Sequence, residues 1–172
     1  MPQSSDTQAS LASYVRWAFD DVPYPGDMNI VYDNSDYYPD VAETAEGFRG
    51  KDWRDMDASF LSNEYCESLL DLTPKAVQYY LPAYLLVSLE SYEDADIVTD
   101  YTYYFLCPCK GATTDFRERF KYFNERQIVA VARFLRYMTE THWSDWFDFG
   151  RGRLQRCLTF WEGEARKRRT SD

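Results

Sequence analysis

His142 is the first residue to consider for chemistry, because it is the single histidine of the chain. Glu140, Asp145 and Asp148 lie close to it in sequence, so a carboxylate–histidine pair could transfer protons here. No serine-hydrolase, zinc-protease or cysteine–histidine motif accompanies it. His142 also falls at the expected end of a helix, where the helix dipole favours a cation. We therefore assign no catalytic residue and favour a function other than catalysis.

The cysteines are the second group. Cys107 and Cys109 form a C-x-C pair, and Cys66 and Cys157 could complete four thiolate ligands for a metal. The spacing differs from the two C-x₂₋₄-C pairs of zinc ribbons and fingers. Cysteine is also among the most frequently buried residue types. We expect four reduced thiols, as in a cytoplasmic protein, and neither a metal nor another cofactor.

The third group is acidic and aromatic, and it fills the stretch from Asp20 to Asp57. Nine Asp and two Glu stand there against Arg49, Lys51 and Arg54, and four tyrosines and Trp53 are interspersed among them. Aromatic anchors with surrounding carboxylates suit the binding of a basic protein. The other interpretation is that the acids only keep a loop soluble while the aromatic rings pack beneath it.

A divalent cation is an alternative ligand for these acids, because Asp-rich loops bind such ions. The segment Asp33-Asn34-Ser35-Asp36 is faintly similar to a calcium loop. It lacks the glycine and the glutamate at position twelve that the EF-hand pattern requires. We expect no metal at this loop.

The overall charge restricts the class of partner. The formal net charge is −10, divided into −15 for residues 1–100 and +5 for residues 101–172. An acidic first half disfavours nucleic acid, which needs clustered Lys and Arg. The basic tail, Arg166–Arg169, is typical of a helix end. No secretory signal and no apolar run long enough to span a membrane is present, so we expect a cytoplasmic protein without a membrane partner.

Periodicity and turn residues predict one mostly α domain, a bundle of about six helices. The expected helices run from Ser5 or Thr7 to about Asp21, from Pro39 to Phe48, from Asp57 to Leu72, from Pro74 to Leu89, from Asp115 to Phe123, from Asn124 to about Thr141, and beyond Gly152. The helix after Thr73 is apolar nearly all round, which predicts a central position, with a kink at Pro82. A long loop is expected at about residues 23–38. Asn29–Tyr32 and Tyr101–Leu106 favour a small strand pair.

Three phrases in this order resemble a family of small bacterial proteins known only as domain of unknown function 6714. They are DVPYPGDMNIVYD (Asp21–Asp33), FRGKDW (Phe48–Trp53) and LTPKAVQYYLPAYL (Leu72–Leu85). The resemblance covers roughly Leu11 to Met138. It implies no established catalytic residue for any position of this chain.

These observations predict a non-enzymatic, acidic protein-binding module, such as an immunity or antitoxin protein that neutralises a basic toxin. The predicted contact residues are Tyr24, Asp27, Tyr32, Asp33, Asp36, Tyr37, Tyr38 and Trp53. Two alternatives stay open. One is a metal-dependent hydrolase that uses the Asp-rich loop and His142, and the other is a structural or regulatory protein that self-associates through its aromatic surface.

Overall fold

The structure is a computed structural model that describes residues 7–32, 39–108, 113–142 and 151–169. Within these ranges the chain forms eight α-helices, which confirms the prediction of a mostly α domain. The predicted number of about six helices was too low. The helices are α1 (Gln8–Phe19), α2 (Pro39–Phe48), α3 (Ala58–Glu64), α4 (Pro74–Glu90), α5 (Asp96–Leu106), α6 (Thr114–Glu118), α7 (Glu125–Thr141) and α8 (Arg151–Arg169). Three short 3₁₀ helices lie between them, at Asp27–Asn29, Trp53–Asp55 and Ser68–Leu70.

Local capping signals set the helix starts that the sequence predicted. The Thr73 hydroxyl accepts a hydrogen bond from the Ala76 N–H at 3.2 Å, and a proline opens the first turn of α4. Asn124 and Gln127 bond reciprocally at 3.1 and 3.0 Å as the capping box of α7. A capping box also opens α1, at Thr7, which is one of the two predicted starts, while the other, Ser5, lies outside the described residues.

Helix α4 lies at the centre, as predicted, packed against α1 on one side and α5 on another, while α7 joins α1 to α8. Its tyrosines bury their rings and direct their hydroxyls to backbone carbonyls. The Tyr80 hydroxyl donates to the Phe48 carbonyl at 2.7 Å, and the Tyr84 hydroxyl donates to the Tyr65 carbonyl at 2.6 Å. These bonds attach the segments around residues 48 and 65 to the core, and both segments carry surface acids.

The predicted strand at Tyr101–Leu106 is wrong, because those residues form the second half of α5. Val98, Thr102 and Phe105 are buried, whereas Ile97 and Tyr104 are exposed. That alternation follows the 3.6-residue period of a helix, and burial of this face against α4 outweighs the β propensity of the aromatic residues.

Two further predictions need correction. Asn29–Tyr32 is no strand: Asp27–Asn29 is a 3₁₀ helix, and Val31 makes an isolated bridge to Leu72. The helix predicted over Asp57–Leu72 begins correctly but ends at Glu64. At Tyr65 the backbone leaves the helical conformation, with a φ of −124° and a ψ of 17°. Its carbonyl accepts hydrogen bonds from the Tyr84 hydroxyl and the Ser68 N–H, and a 3₁₀ helix follows.

The prediction of four reduced thiols is also wrong. Cys107 and Cys157 form a disulfide that joins the end of α5 to α8, and both are buried. The Trp161 indole N–H donates to the Leu106 carbonyl at 2.8 Å beside it. Cys66 is a free, half-buried thiol, and burial raises its pKa. Cys109 lies outside the described residues.

Candidate partner-binding surface

The loop after α1 closes on itself through Tyr24 and Asp27. Gly26 has a φ of +87°, which favours glycine, and this conformation turns the chain back at that point. The Tyr24 hydroxyl donates to the Asp27 carboxylate at 2.6 Å and accepts from the Gly50 N–H at 2.8 Å. Burial, followed by the bond to Asp27, raises the pKa of Tyr24. These two predicted contact residues are therefore brought together and held rigidly, with the Asp27 side chain at the surface.

Tyr32 is 67% exposed, as expected of a contact residue. A cation lies near it. A hydrogen bond to Glu118 is the main cause that raises the pKa of Lys121, and Tyr32 lies close enough to Lys121 to add to the effect. Lys121 also lies 5.4 Å from the centre of the Tyr122 ring. The described end of the loop thus approaches a lysine that is paired with Glu118.

Trp53 belongs to the core, and its inclusion among exposed contact residues was wrong. Its side chain is 1% exposed, in a 3₁₀ turn packed against α4. The Arg54 guanidinium covers the ring at 4.4 Å and donates to the Asp20 and Asp52 carboxylates at 2.8 and 3.1 Å. The remaining predicted residues, Asp33, Asp36, Tyr37 and Tyr38, lie outside the described residues.

A larger acidic surface arises where α2 docks on the segment after α3. The Thr44 hydroxyl hydrogen-bonds to the Ser68 hydroxyl at 3.1 Å and donates to the Asp71 carboxylate at 3.2 Å. Three residues further along α2, Gly47 lies directly against the Tyr65 ring. A side chain at position 47 would collide with that ring, so glycine permits the close approach of the two segments.

This docking collects six carboxylates, which we call the acidic face: Asp40, Glu43, Glu46, Glu64, Glu67 and Asp71. Arg49 pairs with Glu46 at 2.7 Å. Within the described parts of the chain, none of the other five carboxylates has a Lys, Arg or His nitrogen within 4 Å. Among the described residues, the acidic face therefore carries an excess of negative charge, placed on α2, on α3 and at the two ends of the 3₁₀ helix Ser68–Leu70.

The negative charge of the acidic face acts on the pKa of Asp71. Partial burial raises its pKa most, the Thr44 hydrogen bond opposes that effect, and the charges of Asp40 and Glu67 raise it further. The ionised carboxylate is therefore held in an unfavourable place. A cation bound nearby would relieve both the repulsion and part of the desolvation cost.

None of the six carboxylates of the acidic face is among the predicted contact residues, and three of them lie beyond the stretch from Asp20 to Asp57. Glu64, Glu67 and Asp71 follow at spacings of three and four residues, which indicate one side of a helix-like segment. That signal was available. Their proximity to α2 could not be predicted, because it depends on contacts that Thr44, Ser68 and Gly47 make with residues distant in sequence.

The residues considered for catalysis or metal binding are dispersed. His142 follows the last residue of α7, as predicted, and its ring stacks on Tyr92 at 3.6 Å. Asp145 and Asp148 lie outside the described residues. Among the described residues, no group of three or more His, Cys, Asp or Glu is arranged to hold a metal ion. None of the helices in this part of the chain combines the length and apolar composition needed to cross a membrane.

A family model matches residues 7–164, and its description is a family of unknown function, DUF6714. The resemblance drawn from the three sequence phrases is thereby confirmed over a longer range. No curated protein and no solved structure matches the chain. The matched range includes the whole acidic face.

Proposed function

The chain belongs to DUF6714, a family of unknown function, and we propose that it is a non-enzymatic, acidic protein-binding module whose partner is a basic protein. The observation that carries this proposal is the acidic face, where five of six carboxylates lack a cationic partner among the described residues. An immunity or antitoxin protein, which covers the cationic site of a toxin, is the kind of protein that this surface suits. We expect this basic target to be a cytoplasmic protein.

The carboxylates of the acidic face lie on rigid elements, which supports a role in binding rather than in solubility alone. Asp40, Glu43 and Glu46 project from α2, and the Thr44 and Gly47 contacts hold that helix against the core. A surface held in place loses little conformational entropy when a partner binds. A flexible acidic loop would serve solubility equally well and would not need this docking.

The energetics of the acidic face also favour a cationic partner. Like charges held close together destabilise the free protein, and the raised pKa of Asp71 reflects that repulsion as well as burial. Arg or Lys side chains from a partner would replace repulsion by attraction. Surfaces of this kind steer a basic partner and raise the association rate constant from about 10⁵–10⁶ to as much as about 10⁸–10⁹ M⁻¹s⁻¹ at low salt.

The test compares two triple variants of equal charge. In the first, Asp40→Asn, Glu43→Gln and Glu64→Gln neutralise part of the acidic face. In the control, Glu118→Gln, Glu125→Gln and Glu140→Gln remove the same charge from α6 and α7. Wild type and both variants are used as bait in lysate of the native host, at low and high salt, and captured proteins are quantified by mass spectrometry.

We expect wild type and control to retain the same basic protein, and the acidic-face variant to lose it. With the purified partner, stopped-flow measurements should show an association rate constant lowered by roughly tenfold at low salt, with the difference shrinking as salt screens the charges. Equal recovery of the partner by all three baits, or a captured partner that is acidic, would count against the proposal.

A further inference from the structure

The outer face of α5 exposes apolar and aromatic side chains on the side of the molecule that carries the acidic face. Ile97 and Tyr104 are 46% and 49% exposed, and Tyr101 lies between them on the same side of the helix. The spacing of 97, 101 and 104 places all three on one helical stripe, two turns long. An apolar stripe at the surface is typical of a site that receives another molecule.

This stripe borders a cleft of about 490 Å³, within the range of roughly 300–1,000 Å³ found for binding clefts. Leu70, 54% exposed, forms the rim on the 3₁₀ helix that follows α3. Leu69, Phe105 and Phe116 are buried residues that line it. The lining is mainly apolar and aromatic, which suits one or two apolar side chains of a partner.

The cleft is continuous with the acidic face through Glu67, which belongs to both. The Tyr101 hydroxyl lies beside the Glu67 carboxylate, and their hydrogen-bonding interaction is the main reason that the pKa of Tyr101 rises to about 12. Cations also line the cleft. Arg119 lies 5.4 Å from the centre of the Phe105 ring, and Arg153 lies 4.6 Å from that of the Tyr104 ring. The lining therefore carries two acids, Glu67 from the acidic face and Asp115 from α6, and two cations.

We infer that this cleft receives an apolar side chain from a basic amphipathic segment of the protein partner, while Lys or Arg residues of the same segment contact the acidic face. The occupant follows from charge complementarity, because the apolar cleft adjoins, through Glu67, carboxylates that have no cationic partner among the described residues. The inference rests on the proposed function and adds the class of segment that is recognised. The acidic face supplies attraction to any basic chain, and the cleft selects those that present an apolar anchor.

Three synthetic peptides serve as probes in isothermal titration with the full chain. One is an amphipathic helix of Leu and Lys, the second replaces every Leu by Ser, and the third replaces every Lys by Glu. The cleft variant combines Leu70→Ser with Tyr104→Ser. Its control combines Trp17→Ser with Tyr122→Ser, because those side chains are 52% and 45% exposed and lie on α1 and beyond α6.

We expect the Leu/Lys peptide to bind wild type at least about tenfold more tightly than the Ser/Lys peptide, as for a buried apolar anchor. The cleft variant should lose that advantage and keep its affinity for the Ser/Lys peptide, and the control should bind like wild type. The Glu/Leu peptide should bind most weakly. A photoreactive Leu/Lys peptide on wild type should crosslink at Leu70, Tyr101 or Tyr104, which tests the site without any substitution in the protein.

Several results would overturn the inference: equal affinity of wild type for the Leu/Lys and Ser/Lys peptides, an advantage that persists in the cleft variant, or crosslinks only outside the cleft. A dimer in light scattering that the cleft variant converts to a monomer would assign the cleft to a second copy of the chain instead. The proposed function fails separately, if neutralising Asp40, Glu43 and Glu64 leaves the affinity for both Lys peptides unchanged.

Discussion

Replacing Gly47 by Ala tests the contact on which the acidic face depends. Inside a helix, Gly→Ala normally stabilises a protein by roughly 0.5–1 kcal/mol, because alanine has less backbone entropy to lose. At position 47 we expect the opposite sign. The added Cβ would lie 2.6 Å from Cε1 of Tyr65, and closer still to its Cζ and hydroxyl oxygen.

The magnitude follows from what holds Tyr65 in place. Its ring stacks on Phe60 at 4.7 Å and meets Phe48 edge-on at 5.3 Å, so it cannot move aside without losing both contacts. Each aromatic pair contributes about 0.5–1.5 kcal/mol. The two pairs together amount to about 1–3 kcal/mol, and after the gain of roughly 0.5–1 kcal/mol in helix propensity is subtracted, we expect Gly47→Ala to lower the free energy of unfolding by up to about 2.5 kcal/mol.

Urea unfolding followed by circular dichroism measures this change. Gly163→Ala in α8 is the matched control, because a Cβ there meets no atom within 4 Å, and it should stabilise by roughly 0.5–1 kcal/mol. A second comparison introduces Gly47→Ala into a Tyr65→Ala background. With the ring removed, the cost of the added methyl group should disappear, which isolates the steric term as a coupling energy.

The reasoning is refuted if Gly47→Ala stabilises the protein as Gly163→Ala does, or if its cost is the same with and without the Tyr65 ring. Either result would mean that α2 does not approach the segment after α3 as closely as described. The acidic face would then lack a fixed geometry, and the argument for a rigid binding surface would fail with it.

Three further perturbations have defined outcomes. The folded-state pKa of Asp71 is raised, so its ionised form destabilises the fold above that pKa. Asp71→Asn should therefore stabilise the protein by a few tenths of a kcal/mol at pH 7 and give no gain below about pH 3.8. Urea titrations across pH measure both. Reducing the Cys107–Cys157 disulfide releases a loop of 50 residues and should lower the free energy of unfolding by up to about 4 kcal/mol in the same assay. Cys66→Ser is the neutral control. An unchanged unfolding midpoint, in protein that thiol assays show to be completely reduced, would contradict this. Arg54→Lys should destabilise by about 1 kcal/mol, because a lysine cannot bridge two carboxylates while covering an indole ring, and a melting temperature equal to wild type would exclude that role.

The features that the sequence determined by itself are those governed by neighbours in the chain. Thr73 followed by proline, and Asn124 with Gln127, specify helix starts because capping needs only residues three positions apart. The apolar character of the Pro74–Glu90 segment on all sides similarly predicts a central helix, since no face of it can remain in water. These local and compositional rules also indicated an acidic, aromatic region, for which a basic partner stays a prediction.

Tertiary structure decided which of those residues are exposed at the surface. Trp53 reads as an exposed anchor within an acidic stretch, yet packing against α4 buries it under Arg54. Tyr101–Leu106 has strand propensity, but the face that it offers to α4 repeats with helical period. The pairing of Cys107 with Cys157 likewise depends on the approach of two helices that are far apart in sequence.

The acidic face shows the physical reason most clearly. Its carboxylates come from two segments about 25 residues apart, and they meet because Thr44 hydrogen-bonds across the chain and Gly47 leaves room for a tyrosine ring. Charge is a property of composition and can be counted from the sequence. A surface potential depends on distances between charges, and only the packing of helices sets those distances.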